Sequence, residues 1–156
     1  MFYARQTKQA IEQLRKTLEM DPNYNSAHGM LANTYELNGM YEECITEHLQ
    51  IESRGGTGQE KINALKQAYT ARGWKGFWRK KLEQMLEGSD RKPGFQKDLA
   101  IVYARLGEKD RALACLNKAY EEHEAWLVWI KVAPFYDTLR SDPRFTELVR
   151  KVGLPL

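Results

Sequence analysis

The chain has 156 residues, of which 42% are hydrophobic and 29% charged, and its formal net charge is +3. This balance provides enough apolar surface for a folded core and excludes a disordered chain, while the small net charge gives no general attraction to nucleic acid. No stretch approaches the roughly 20 apolar residues of a membrane span, and the N-terminus lacks the apolar core of a signal peptide. Two cysteines provide no disulfide framework, and we expect a cytoplasmic protein.

The spacing of apolar residues predicts an all-α fold. Apolar side chains recur about every four residues, as at Ala27, Leu31 and Tyr35, which is the stripe of a helix with one buried face. Asp142 is expected to cap the last helix, with Pro143 in its first turn. Helices are predicted over residues 8–20, 24–38, 41–53, 58–72, 75–87, 94–106, 109–122, 125–131 and 142–152.

Five columns of residues repeat every 34 positions without a gap. An exact period indicates a repeated structural unit, and Gly39 is expected to end a helix with a positive φ. The columns are Leu31, Leu65 and Leu99; Tyr35, Tyr69 and Tyr103; Gly39, Gly73 and Gly107; Ala10, Cys44, Trp78 and Ala112; and Leu14, His48, Leu82 and Leu116.

A period of 34 with leucine, tyrosine, glycine and small residues resembles the tetratricopeptide repeat family. The pattern can be followed from Asn25 to Thr57, with His28 at the usual tryptophan position and Cys44 at the small-residue position. The resemblance implies a solenoid of helix–turn–helix units, in which the three tyrosines occupy equivalent sites. A single array is expected, with a partial repeat at 1–24, repeats at 25–58, 59–92 and 93–124, and a C-terminal cap at 125–156.

The stretch from Gly73 to Pro155 has a closer resemblance. The run Gly73–Arg79, the run Leu106–Ala112 and the ending Trp126–Phe145 are similar to the C-terminal repeat region of large bacterial signalling proteins. In those proteins the repeats follow a winged-helix domain, a Ser/Thr kinase or a cyclase-like domain. The resemblance implies a regulatory setting, and it transfers none of those activities because the domains that perform them do not occur in this sequence.

The family resemblance also implies a concave groove lined by side chains of the first helix in each repeat. Amide and cationic groups at such positions suit hydrogen bonds to a peptide backbone or a carboxylate. The alternative is that these are solvated helix residues without a ligand. The groove positions are Asn33, Glu36 and Leu37; Asn63, Gln67 and Thr70; and Lys97, Ile101 and Arg105.

Residues 59–92 carry nine Lys/Arg against four Asp/Glu and include an unusual aromatic stretch. Trp78 occupies the small-residue column, with Trp74, Arg79, Lys80 and Lys81 beside it. One interpretation is a basic-aromatic contact patch for an acidic partner, a phosphate backbone or a membrane surface. The other, which aromatic stripes at helical spacing favour, is a widened core with solvated basic side chains.

No pattern in the sequence indicates catalysis, a metal or a cofactor. The run Arg54–Lys61 lacks the Gly-Lys-Ser/Thr ending and the preceding strand of a phosphate-binding loop, which indicates a turn between repeats. Cys44 and His48 lie one helical turn apart with His28 on the preceding helix, but a fourth ligand is missing and core packing is favoured. We therefore expect a binding protein and not an enzyme.

The first predicted helix carries an apolar stripe that includes Ile11, Leu14 and Leu18. Met1 falls on the tyrosine column, so residues 1–5 provide only the last turn of a covering helix. An uncovered end of a solenoid favours association. Either the chain was cut from a longer protein or it pairs through this end, and both explanations predict that the isolated chain forms a homodimer through its N-terminal end.

Three hypotheses remain from the sequence. The leading one is a protein-interaction scaffold that binds a peptide or a partner domain in its groove, as part of a bacterial regulatory system. The second is a self-assembly or structural module. The third is a nucleic-acid-contacting module that uses residues 72–92, although the modest net charge argues against a nucleic-acid partner.

Overall fold

The computed structural model describes residues 7–88 and 93–154. The described residues form α-helices and short 3-10 helices without a strand, which confirms the all-α prediction. The helices are α1 (Thr7–Met20), α2 (Asn25–Leu37), α3 (Tyr41–Arg54), α4 (Gln59–Glu87), α5 (Phe95–Leu106), α6 (Lys109–Glu121), a 3-10 helix (Ala125–Trp129), a second 3-10 helix (Pro134–Leu139) and α7 (Pro143–Lys151). The chain divides into two compact units, Met1–Gln67 and Ala68–Leu156.

The first unit is built on the helix–turn–helix pair of α2 and α3, with α1 packed on α2. Leu31 and Tyr35 of α2 and Cys44 and Ile45 of α3 are buried at the centre. Arg15 of α1 donates from Nε and Nη2 to the hydroxyl oxygen of Tyr35 at 3.1 and 2.9 Å. The repeat tyrosine of this unit therefore joins α1 to the helix pair through a satisfied hydroxyl group.

The second unit is built on the pair of α5 and α6. The second 3-10 helix packs on α5, and α7 packs on α6. Leu99 and Tyr103 of α5 and Leu116 of α6 are buried, as the repeat columns predict. The side chain of Asp142 accepts the backbone N–H of Arg144 at 2.9 Å, and Pro143 follows it, so the predicted start of α7 is confirmed.

The glycine column ends or bends a helix in each repeat, with φ of 70° at Gly39, 61° at Gly73 and 79° at Gly107. This confirms the positive φ expected at Gly39. At Gly73 the backbone leaves helical geometry with φ 61° and ψ −151°, so α4 consists of two helical segments joined at a kink, which correspond to the helices predicted over 58–72 and 75–87.

The prediction of equivalent tyrosine environments is wrong for one residue. Tyr35 and Tyr103 are buried, whereas Tyr69 is half-buried. Tyr69 lies one turn before Gly73, where α4 continues into its second half, while α2 and α5 each end two or three residues after their tyrosine.

The C-terminal segment also differs from its prediction. The helix predicted over 125–131 is a 3-10 helix at Ala125–Trp129, in which Leu127 is buried, as is Ile130 after it, whereas Val128 and Trp129 are more than half exposed. The second 3-10 helix was not expected at all. Arg140 holds this region together by donating to the carbonyl oxygens of Lys131 and Ala133 and to the carboxylate of Asp137.

Candidate interaction surfaces

In the first unit, the expected groove residues lie on α2 and on the first half of α4. Asn33 and Glu36 are half-buried and lie one turn apart on α2, whereas Asn63 and Gln67 are exposed and lie one turn apart on α4. The side-chain amide of Gln59 donates to Oδ1 of Asn63 at 2.9 Å. These faces offer amide and carboxylate groups that suit the N–H and C=O groups of a peptide.

Two exposed apolar side chains accompany Asn33 on α2. Met30 is 44% exposed and Leu37 is 37% exposed, and both lie on the same helix face as Asn33 because the three residues are spaced i, i+3 and i+7. Beside them, a methyl group placed on Gly29 would meet no atom of the described residues within 4 Å. Sequence reasoning included Leu37 but missed Met30, which the same spacing could have identified.

A small open cleft of about 140 Å³ lies between the end of α3 and the start of α4. Its volume is room for about four water molecules or a short side chain. It is lined by Leu49, Gln50, Ser53, Gln59, Ile62 and Lys66.

In the second unit, the expected groove residues on α5 differ in their surroundings. Nζ of Lys97 lies 3.7 Å from Oδ1 of Asp98, and Ile101 is half-buried. The guanidinium carbon of Arg105 lies 4.1 Å from the ring centroid of Trp78 and 5.8 Å from that of Phe135. Arg105 thus links α5 to α4 and to the second 3-10 helix. Thr70, on α4, is exposed.

The basic-aromatic patch is split between core and surface. Trp78 is 2% exposed and makes edge contacts with Trp74 at 5.4 Å and with Phe77 at 5.0 Å between ring centroids. A side chain in the core cannot offer its face to a partner, so the structure places Trp78 as the core interpretation describes, and Trp74 is half-buried beside it.

The charged members of the patch lie near carboxylates. Nη1 of Arg79 lies 3.7 Å from Oε1 of Glu108, and Nζ of Lys80 donates to Oε2 of Glu83 at 3.0 Å. Lys81 is half-buried. Residues 89–92, which complete the expected nucleic-acid segment, lie outside the described residues.

The two units carry opposite charge. The described residues of the first unit include six Lys/Arg and nine Asp/Glu, and those of the second include 15 and 11. Long-range electrostatic steering therefore favours basic partners at the first unit and acidic partners at the second.

The residues considered for a metal have other contacts. His28 lies between the carboxylate of Glu47 and the carbonyl of Pro22, and Cys44 is buried in the core. Within residues 7–88 and 93–154, no group of three or more His, Cys, Asp or Glu side chains could hold a metal ion. Burial raises the pKa of the Cys115 thiol, which leaves less of the reactive thiolate.

The stripe expected to mediate self-association lies on α1. Ile11, Leu14 and Leu18 are all half-buried, and Ala10 is buried. The covering residues 1–5, and Pro155 at the other end of the chain, lie outside the described part. In that described part, no helix is both long and apolar enough to cross a membrane.

Comparison with known families gives a match to part of the chain. The model of the tetratricopeptide repeat matches residues 98–122, which covers most of α5 and α6. No curated protein and no solved structure matches the chain. With the 34-residue period and the helix–turn–helix pairs, this match supports a protein of the tetratricopeptide repeat type.

Proposed function

We propose that this chain is a protein-interaction module that binds a peptide or a partner domain through the faces of α2 and α5 that carry the predicted groove residues. The observation that carries the proposal is the tetratricopeptide match over the pair of α5 and α6, because repeats of this type serve as protein-binding units. The resemblance of residues 73–155 to bacterial signalling proteins supports a regulatory, cytoplasmic setting for this scaffold.

In the first unit, α2 supplies the face that best suits a peptide. Met30 and Leu37 can bury apolar side chains of a ligand, and Asn33 between them can donate to and accept from a peptide backbone. The Cα atoms of Met30 and Leu37 are about 10 Å apart along the helix, so the two residues can contact two ligand side chains at once.

In the second unit, α5 offers a cationic end. The Lys97 side chain is 38% exposed, and the net positive charge of this unit favours acidic groups on the ligand. Arg105 is better suited to a positioning role, since its guanidinium stacks on Trp78 and holds the shape of the α5 face.

The proposal can be tested by selecting peptides from a displayed random library on the full-length chain and measuring their affinities by calorimetry. We expect the double variant Met30→Ser and Leu37→Ser, or the single variant Lys97→Glu, to weaken the selected peptides about tenfold or more. Loss of two apolar contacts or reversal of one charge is worth at least about 1.4 kcal/mol, which is tenfold in affinity.

Met20→Ser is the matched control, because Met20 is an apolar residue that is 87% exposed at the end of α1 and does not belong to α2. It should leave the affinities unchanged. Peptides that bind the wild type and all variants equally would show that these faces are not the binding site, and a library that gives no specific peptide would contradict peptide binding itself.

Self-association through α1 is a second candidate, because Ile11, Leu14 and Leu18 are only half-buried and retain accessible apolar surface. Sedimentation of the wild type should then show a dimer that the double variant Leu14→Glu and Leu18→Glu dissociates. A monomer at high protein concentration would reject this candidate and leave the peptide-binding proposal untouched.

A further inference from the structure

The cleft between the end of α3 and the start of α4 lies within the first unit and combines an apolar floor with a polar rim. Ile62 is 4% exposed and Leu49 is half-buried, and these two side chains form the floor. The rim consists of four exposed polar side chains, Gln50, Ser53, Gln59 and Lys66. A cleft of this composition suits a ligand with a short apolar part and a polar end.

The turn that joins α3 to α4 beside the cleft is ordered by bonds of its own. The backbone N–H of Gly55 donates to the carbonyl oxygen of Ile51 at 2.8 Å, and that of Thr57 donates to the carbonyl oxygen of Glu52 at 3.0 Å. The hydroxyl group of Thr57 also donates to the carboxylate of Glu52 at 2.8 Å. Because the turn is ordered without a ligand, binding in the cleft requires little additional ordering of the chain.

The rim is rich in hydrogen-bond donors, and the six side chains that line the cleft include no carboxylate. Lys66 provides an ammonium group and Ser53 a hydroxyl group. Gln59 donates one amide hydrogen to Oδ1 of Asn63 at 2.9 Å and retains a second. A positive charge with neutral donors around it is the environment that a carboxylate requires.

The volume of the cleft limits the length of the apolar part of the ligand. It is about 140 Å³, close to the roughly 150 Å³ of an engineered cavity that binds benzene. A carboxylate on a three-carbon chain has as many non-hydrogen atoms as benzene. Butanoate has this size, and so does a glutamate residue from its Cα to its carboxylate.

We propose that this cleft binds a short aliphatic carboxylate, as a free acid or as the glutamate side chain of a peptide. The aliphatic chain packs on Leu49 and Ile62, and the carboxylate accepts from Lys66 and Ser53. The net negative charge of the first unit opposes an anion, but its field is screened over about 8 Å at physiological salt, so the groups in contact decide the selectivity. The cleft is distinct from the α2 and α5 faces, and the proposal does not depend on them.

The test is an NMR titration of the full chain with sodium butanoate up to about 0.1 M, in which the salt replaces sodium chloride to keep the ionic strength constant. We expect saturable shifts of the Leu49 and Ile62 methyl groups, with a dissociation constant of about 1–50 mM, because so small a ligand makes few contacts. Acetate should bind more weakly, since each buried methylene contributes up to about fourfold in affinity. Butanamide, which keeps the shape without the charge, should bind at least about fivefold more weakly.

Lys66→Met removes the ammonium group and keeps an unbranched side chain of similar length. It should weaken butanoate about fivefold, the upper range for an exposed ion pair. Lys61→Met is the matched control, because Lys61 is an exposed lysine of the same helix that does not line the cleft. Its affinity for butanoate should equal that of the wild type.

Shifts that do not saturate, equal binding of butanoate and butanamide, or equal affinities of the two lysine variants would overturn the proposal. A capped Ala-Glu-Ala peptide, with Ala-Gln-Ala as its uncharged control, then identifies the source of the carboxylate. Binding at least as tight as that of butanoate assigns the cleft to a glutamate side chain, and weaker binding assigns it to a free acid. The titration with butanoate uses no selected peptide, so its outcome is separate from that of the library selection.

Discussion

Equivalent positions of the 34-residue repeat are occupied by different residues in the two units. After α2 of the first unit, Asn38–Met40 form a three-residue turn and Cys44 occupies the small-residue column of α3. In the second unit a single residue, Gly73, bends α4 with φ 61° and ψ −151°, and Trp78 occupies the column instead of a small residue. A period in sequence therefore fixes where a repeat turns and which column faces inward, but not how tightly it turns or what fills its core.

The residue that occupies this small-residue column predicts the largest difference between the units in the stability lost on substitution by alanine. Trp78→Ala should cost about 3–5 kcal/mol, because it removes a fully buried indole that contacts Trp74, Phe77 and the Arg105 guanidinium. Cys44→Ala, at the equivalent position of the first unit, should cost about 1 kcal/mol because only a thiol is lost. Urea unfolding followed by circular dichroism measures both, and similar losses would contradict the contrast.

Glycine substitutions sharpen the comparison of the two units. A Cβ on Gly76 would lie 2.4 Å from the carbonyl oxygen of Ala68 and 2.5 Å from Cβ of Arg72, so Gly76→Ala forces the halves of α4 apart and should cost about 1–3 kcal/mol. Gly29→Ala in α2 meets open space and should instead stabilise by about 0.5–1 kcal/mol, because alanine is the better helix former.

Thermal unfolding shows directly whether each variant is more or less stable than the wild type. The Gly76→Ala effect should appear in tryptophan fluorescence, which reports the second unit. A Gly76→Ala protein as stable as the wild type would mean that α4 bends without the close approach.

Two tyrosine hydroxyl groups provide a third contrast. Tyr136 is 1% exposed and its hydroxyl group has no hydrogen-bond partner among the described residues, while burial together with the charge of Asp98 raises its pKa. An unpaired buried hydroxyl is unfavourable, so Tyr136→Phe should stabilise the protein by about 1 kcal/mol. Tyr35→Phe should destabilise it by about 1 kcal/mol, because the hydroxyl oxygen of Tyr35 accepts from Arg15.

Both variants retain the aromatic ring, so the packing of the ring is unchanged and only the loss of the hydroxyl group is measured. A destabilised Tyr136→Phe protein, measured by thermal unfolding, would indicate that an ordered water satisfies the hydroxyl group in solution.

The helices and repeat junctions were predictable because they depend on local periodicity. The starts and ends of α1, α2, α3, α5 and α6 agree with the sequence prediction to within about one residue, and the positive φ at Gly39 follows from the glycine column. The second 3-10 helix was missed because Pro134 opens a six-residue segment that is too short to show a helical period.

Burial and pairing depend on neighbours that sequence periodicity does not describe. An aromatic stripe is compatible with core and surface alike, and only the contacts with Trp74 and Phe77 place Trp78 inside. The register located Arg105 on the α5 face, but its stacking on Phe135 depends on the missed 3-10 helix. The contact of His28 with Glu47 joins residues 19 positions apart on different helices, and no repeat column connects them.

The smallest expected effect concerns helix starts. In the second unit, hydrogen bonds from the side chain and the backbone N–H of Arg144 lower the pKa of Asp142 to about 2, whereas α2 and α3 of the first unit begin without a side-chain cap from the residues that the structure describes. A carboxyl group of lowered pKa stabilises the fold above its unfolded pKa of about 3.9, and this contribution is lost as the pH falls toward about 2.

Carboxyl NMR should therefore show Asp142 titrating about two pH units below an unperturbed aspartate. Asp142→Asn keeps an N-cap acceptor but lacks the titrating group, so acid should loosen the start of α7 less in this variant than in the wild type, relative to each protein at neutral pH. Hydrogen exchange at the N–H of Arg144 follows that turn directly. An ordinary titration of Asp142, or identical acid responses of the two proteins, would show that the Arg144 contacts do not persist in solution.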